Sequence, residues 1–302
     1  MMNKNTLQYL MFFCTLFACE KPLILNYKNI EIKQSIIGTF QQNKEIKIYI
    51  SKSKRIDDNT PVEFISNAKV QLFEDDVFVE NLSFVLENAN TNLGYYISTI
   101  KTKVNKKYKI ISSVEGLPTA EAEEILMTKP NIISNQLLQY PDSLNIYKKG
   151  VIDFTIEDSA STKDYYVINV FEFVKSFYID TLGDTIFSNN YYQSSFTINE
   201  YPRRSTQSKL YIKDDIFNGI QKDFRIEFQG FVLSNPYIIE QKVYFEIAKI
   251  GVGYYNYFLS DQENKSGVSN NNKEPNSLIS NIKNGYGHFS SYNLRTFVYS
   301  IQ

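Results

Sequence analysis

His288 is the single histidine among 302 residues, and that narrows the chemistry open to the chain. A Ser-His-Asp relay needs an imidazole base held by a carboxylate. A zinc centre needs several His or Cys ligands. His288 lies in Gly285-Tyr286-Gly287-His288-Phe289, a glycine-rich stretch that reads as a turn with a packed, partly exposed ring. Acids come as the adjacent pairs Asp75-Asp76, Glu123-Glu124 and Asp214-Asp215. Glycoside hydrolysis needs two carboxyls facing each other across roughly 5–10 Å. Neighbours on a strand point to opposite faces, so these pairs are expected at turns and edges. Ser269 to Asn272 offers oxygens without a nearby Asp and reads as a loop, not a calcium loop. Gly251-Val252-Gly253 lacks the third glycine and the preceding strand-and-helix context of a dinucleotide site. Arg203-Arg204 after Pro202 reads as a solvated turn. The expectation is no catalytic residue, no metal and no cofactor.

The remaining reactive group is a thiol. Leu7 to Ala18 is a mostly apolar run preceded by one charge, Lys4. It is shorter than the roughly 20 residues that span a bilayer and fits the apolar region of a signal peptide. Leu16-Phe17-Ala18-Cys19 is similar to the lipobox of bacterial lipoproteins, whose cysteine carries a diacylglyceryl group. Residues 1–18 are therefore expected to be a lipoprotein signal peptide, with lipid on Cys19. Two or more acyl chains hold a protein stably at a membrane without a transmembrane helix. No cysteine follows Cys19, which removes disulfides and thiolate sites from the mature chain. Without Lys4 the formal charge is −2, from 31 basic and 33 acidic residues. Nucleic-acid binding, which needs a basic patch, has no support there.

The elements that would carry these residues are mainly strands. The chain holds 23 Tyr and 22 Phe, types that favour sheet. Apolar and polar residues alternate at 30–33, 45–49, 69–73, 108–110, 151–156, 165–173, 191–198, 224–231 and 243–247, the period of a half-buried strand. Asp180 to Thr185 reads as a hairpin connection. Tyr254, Tyr255, Phe258 and Leu259 recur at helical spacing, with Asp261 to Asn264 as a polar end. A boundary is expected near Pro130. Residues 19–128 suit an immunoglobulin-like β-sandwich, and 129–302 a second β-rich domain with one short helix. Four tyrosine doublets (95–96, 165–166, 191–192 and 254–255) would each put one ring in the core and one in solvent where they lie on strands. Exposed tyrosines suit binding surfaces.

The order of several local patterns carries a resemblance. They are Ile37-Gly38-Thr39-Phe40, Pro61-Val62, Asn67-Ala68-Lys69-Val70 before Asp75-Asp76, Gly94-Tyr95-Tyr96 and Tyr108-Lys109-Ile110. Further on come Asp215-Ile216-Phe217-Asn218-Gly219, Tyr254-Tyr255-Asn256-Tyr257, and Glu274-Pro275 ahead of Ser280 to Phe289. Together they resemble domain of unknown function family 4249, a family of uncharacterised lipoproteins from Bacteroidota. Asn284 stands where that family commonly has Gly, and Tyr286 and His288 replace aliphatic residues. The resemblance implies a lipid-anchored outer-membrane protein, encoded near TonB-dependent receptors, with no assigned activity. The leading expectation is a non-catalytic binding or assembly module accessory to a TonB-dependent nutrient transporter. The candidate ligand-binding residues are Tyr254, His288 and Phe289. A carboxylate-based, glycosidase-like hydrolase and a purely structural surface protein are the alternatives.

Overall fold

The structure is a computed structural model and describes residues 31–54, 58–88, 93–141, 148–198, 208–229, 237–268 and 278–301. Cys19, the signal segment, Arg203-Arg204, Ser269 to Asn272 and Glu274-Pro275 lie outside the described residues. The architecture below belongs to the unit formed by Ile32–Lys54 and Thr60–Gln302.

Among the described residues the chain is mostly β. The first eight strands are β1 (Gln34–Phe40), β2 (Glu45–Lys52), β3 (Lys69–Glu74), β4 (Val77–Asn81), β5 (Ser83–Asn88), β6 (Leu93–Lys101), β7 (Lys107–Ser113) and β8 (Ala120–Ile125). Then come β9 (Ile132–Pro141), β10 (Lys148–Glu157), β11 (Tyr165–Ile179), β12 (Thr185–Gln193), β13 (Phe196–Ile198), β14 (Lys209–Lys213), β15 (Gln221–Gln229), β16 (Ile238–Ile250) and β17 (Gly285–Ser300). One long helix, α1 (Val252–Val268), precedes β17.

The strands form one large sheet and two small ones. The large sheet runs β12-β11-β16-β17-β1-β2-β6-β5, with β14 also paired to β11. The small sheets are β4-β3-β7-β8 and β13-β15-β10-β9. Alternation explains the layering. Every second residue of β1 is buried, and β7 does the same, so each strand presents one apolar face. Ile36, Phe40, Ile46, Ile48 and Ile50 of the large sheet meet Val70, Leu72, Tyr108 and Ile110 of one small sheet. Ile168, Val170, Val243, Phe245 and Ile247 meet Ile152, Phe154, Ile156, Phe224 and Ile226 of the other. Full burial of each such side chain contributes about 1.5–3 kcal/mol.

The last strand joins the two halves. β17 pairs parallel to β1 on one edge and antiparallel to β16 on the other. Its odd-numbered residues enter both cores: Phe289 the first, Phe297 and Tyr299 the second. Asn293 and Arg295 donate to the carbonyls of Met127 and Ile132, where the chain passes from β8 to β9. α1 lies on the opposite face of the large sheet. Tyr254 and Tyr255 pack on Val167, Tyr211, Ala248 and Ile250. The helix has 17 residues; it covers the predicted aromatic segment and its polar end at Asp261 to Asn264, and runs about one turn further.

Candidate functional site

His288 and Tyr254 come together, and Phe289 does not join them. The His288 ring lies 5.5 Å from that of Tyr254, 4.9 Å from Tyr257 and 5.2 Å from Phe258. Phe289 points through the other face of β17 and packs on Phe40, 4.8 Å away. The expectation of a partly exposed turn histidine is corrected. His288 is a strand residue only 2% exposed. The glycines serve the sheet instead of a turn: Gly287 has φ +99°, and a Cβ there would stand 2.1 Å from the Ile36 carbonyl oxygen. Burial pushes the His288 pKa down to about 4, so the imidazole is neutral near pH 7. Its Nδ1 and the hydroxyls of Ser290 and Ser291 have no hydrogen-bond partner.

The adjacent acids separate as strand and turn geometry requires. Asp75 and Asp76 both have positive φ, 51° and 66°, and form the two-residue turn between Glu74 and Val77, the backbone of a type I′ hairpin. They pair with Lys106 and Lys107. Glu123 is exposed. Glu124 turns inward, accepts from the Gly253 N–H and is pushed up to about 7 by burial. It places an acceptor oxygen at the start of α1, whose first turn has no acid of its own. In the remaining pair, Asp215 reaches Lys163 and Lys213 at the surface, while Asp214 is buried.

Asp214 belongs to a cluster that the sequence reading missed. One carboxylate oxygen each from Asp158, Asp164 and Asp214 lies within 4.8 Å of the others. Asp158 follows β10, Asp164 precedes β11 and Asp214 follows β14, so three strand ends deliver them. Tyr166 Oη donates to Asp158 Oδ1 at 2.5 Å, and the Gly219 N–H to Asp158 Oδ2. The Asp164 N–H donates to Asp214 Oδ2 at 2.6 Å. Lys249 Nζ from β16 sits 2.6 Å from Asp164 Oδ2, which also accepts from Thr162 Oγ1. Asp164 Oδ1 has no partner. Burial and the neighbouring carboxylates push the Asp214 carboxyl above its ordinary value. Oxygen donors of this kind suit a hard cation. Only the Asp158–Asp164 spacing is local in sequence; Asp214 arrives through the pairing of β14 with β11.

A second feature is exposed. Beyond the area that α1 covers, the same face of the large sheet carries aromatic rings. Phe171 stacks on Tyr244 at 4.7 Å, and Tyr191 packs on Phe173 at 5.0 Å. Phe177 opposes Phe187 across the β11–β12 pair and meets Tyr237 edge-on. Phe187 and Tyr191 are 63% and 65% exposed. Neither ring of the Tyr191-Tyr192 doublet is buried, unlike Tyr96 and Tyr166 in their doublets. The hairpin turn is firm: Asp180 Oδ1 accepts from the N–H groups of Leu182 and Asp184. Leu182 at its tip is 86% exposed.

A third arrangement bears on acid chemistry. Asp153 and Asp223 share a surface depression with Arg225. Arg225 donates to both oxygens of Asp153, at 2.7 and 2.8 Å, and holds its carboxyl below the ordinary value.

A search of curated proteins finds no match. Among solved structures, a mutant of the CFA/I adhesin CfaE of enterotoxigenic E. coli aligns over 92% of each chain, with 11% identity and a TM-score of 0.26. The sequence profile of domain of unknown function family DUF4249 matches residues 25–297, nearly the whole of the described sheet structure. The chain therefore belongs to that family.

Proposed function

We propose that this protein is a lipid-anchored outer-membrane module of Bacteroidota type that binds a partner without catalysis, and that the partner is a TonB-dependent nutrient transporter. The observation that carries the binding role is the aromatic surface of the β11–β12 hairpin. Ile179, Phe187 and Tyr191 are exposed on the face that carries Phe171, Phe173 and Phe177, Leu182 is exposed at the tip, and Tyr178, Ile186 and Tyr192 are exposed on the reverse face. The rings gathered on the first of these faces, Phe171, Phe173, Phe177, Phe187, Tyr191 and Tyr244, suit an interaction surface on a folded protein, and tyrosines give contact area at low entropic cost. The tether rests on Leu16 to Cys19 in the sequence. Among the described residues no helix is long and apolar enough to cross a membrane, so an acyl tether and this fold are compatible.

Capture from detergent-solubilised outer membranes tests the reading. Tagged wild-type chain should retain a transporter. Phe187→Ser with Tyr191→Ser should unfold at nearly the same temperature yet bind roughly thirtyfold more weakly, because truncating central aromatic anchors costs about 2 kcal/mol or more. Empty wild-type capture, or equal capture by both chains, rejects the partner role. Cys19→Ser should shift the protein to the soluble fraction and remove the acyl mass; continued membrane fractionation without that loss rejects the anchor.

The hydrolase alternative is weaker at the depression that holds Asp153 and Asp223. A general acid needs a raised pKa, and Arg225 moves Asp153 the other way.

A further inference from the structure

We infer that Asp158, Asp164 and Asp214 form a structural calcium site that fastens together the ends of β10, β11 and β14. Charge is the first argument. The three carboxylates are 8%, 0% and 1% exposed. The only cation described in contact with them is Lys249, bound to Asp164 Oδ2. Lys163 and Lys213 are nearby in sequence but face Asp215 at the surface. Three negative charges against one positive leave two uncompensated in a dry place, which is costly unless a cation answers them. A divalent ion closes that balance.

Chemistry favours calcium over magnesium. Calcium accepts oxygens in flexible geometry, whereas magnesium demands a near-ideal octahedron and gives up its water reluctantly, so a dry group of carboxylates from three strand ends suits calcium. The three oxygens lie within 4.8 Å of one another, inside the limit of about 5.2 Å for two oxygens bound to one calcium. Asp164 Oδ1 is the independent sign. It is an oxygen of a fully buried carboxylate with no hydrogen-bond partner, while Oδ2 of the same group is engaged twice. The protein thus fixes the carboxylate from one side and leaves its other oxygen available. Calcium takes six to eight oxygens, so water or backbone carbonyls would complete the shell.

The test uses the full chain in detergent, stripped with EDTA and titrated with calcium chloride. The unfolding midpoint should rise by roughly 5 °C at saturation, and magnesium chloride should do less. Asp214→Asn should abolish the rise; its amide oxygen can still accept from the Asp164 N–H. Asp215→Asn, one residue away on the surface, should keep it. A folding-independent readout uses wild-type protein and terbium as the calcium surrogate. The chain has no Trp, so sensitised emission must come from tyrosine, and Tyr166 touches Asp158 directly. Emission should appear on terbium addition, fall with added calcium, and drop by at least half in Tyr166→Phe. A wild-type midpoint unmoved by millimolar calcium, an Asp214→Asn response equal to wild type, or emission indifferent to Tyr166→Phe each overturns the site.

Discussion

At the scale of single residues, environment decides what each group can do. His288 occupies a position where the family resemblance points to aliphatic residues, and the structure buries it among three aromatic rings. Its lowered pKa has a definite sign. The unfolded imidazole binds a proton near pH 6.5 and the folded one only near 4, so stability present above pH 6.5 is lost as pH falls through that window. His288→Leu removes the loss. The denaturation free energy of that variant relative to wild type should therefore grow by about 2 kcal/mol from pH 7 to pH 4.5. A difference that stays flat over that range would mean the ring does not stay neutral on folding. Asn284 shows the same logic in the backbone. Its φ is +56°, a left-handed conformation in which Asn is the usual substitute for Gly.

At the scale of elements, α1 is held by contacts that its own sequence does not advertise. Glu124 of β8 meets its first turn, and Asn281 brackets the Phe289 peptide by accepting from its N–H and donating to its carbonyl oxygen. Gly253 makes room for this. A Cβ there would stand 2.4 Å from Asn281 Nδ2 and 3.1 Å from Ser290 Oγ. Helix propensity favours Ala over Gly by about 1 kcal/mol, so isolated-helix reasoning predicts that Gly253→Ala stabilises. Packing predicts the reverse: the overpacking cost of about 1–3 kcal/mol outweighs propensity. Urea denaturation decides between them, and a higher midpoint for the variant would show that Asn281 yields without loss. The hairpin of β11 and β12 behaves differently. Fifteen residues at about 3.3 Å each make β11 roughly 50 Å long, and its distal third is covered by little else among the described residues. That exposure makes it the element most able to lose side chains without losing stability.

For the molecule as a whole, β17 is the element on which both halves depend. It contributes Phe289 to one core and Phe297 and Tyr299 to the other, and it hydrogen-bonds the segment between β8 and β9. Heating should therefore give a single calorimetric transition, because neither half keeps its sheet without that strand. Phe289→Ala, at a fully buried position, should lower stability by about 3–5 kcal/mol and move the whole transition. Two resolved transitions, with only one shifted, would show that the halves melt independently.

Composition and alternation were enough to read a mostly β chain with one aromatic helix, because a half-buried strand writes its period directly into the sequence. Asp180 to Thr185 was legible as a hairpin for the same local reason. β17 was not: residues 287–291 are buried on both faces, so alternation vanishes there and glycines that serve close strand pairing look like a turn. The aromatic spacing of α1 and its polar end at Asp261 to Asn264 were legible too, and only the last turn was not. Tyr254 and His288 could be named as candidates, but not their separation from Phe289 by a sheet. Nor could the convergence of Asp158, Asp164 and Asp214, since strands that pair across about 50 residues bring them together. Local periodicity is set by neighbours along the chain, whereas burial, shared charge and the choice of partners depend on which distant strands come to lie side by side.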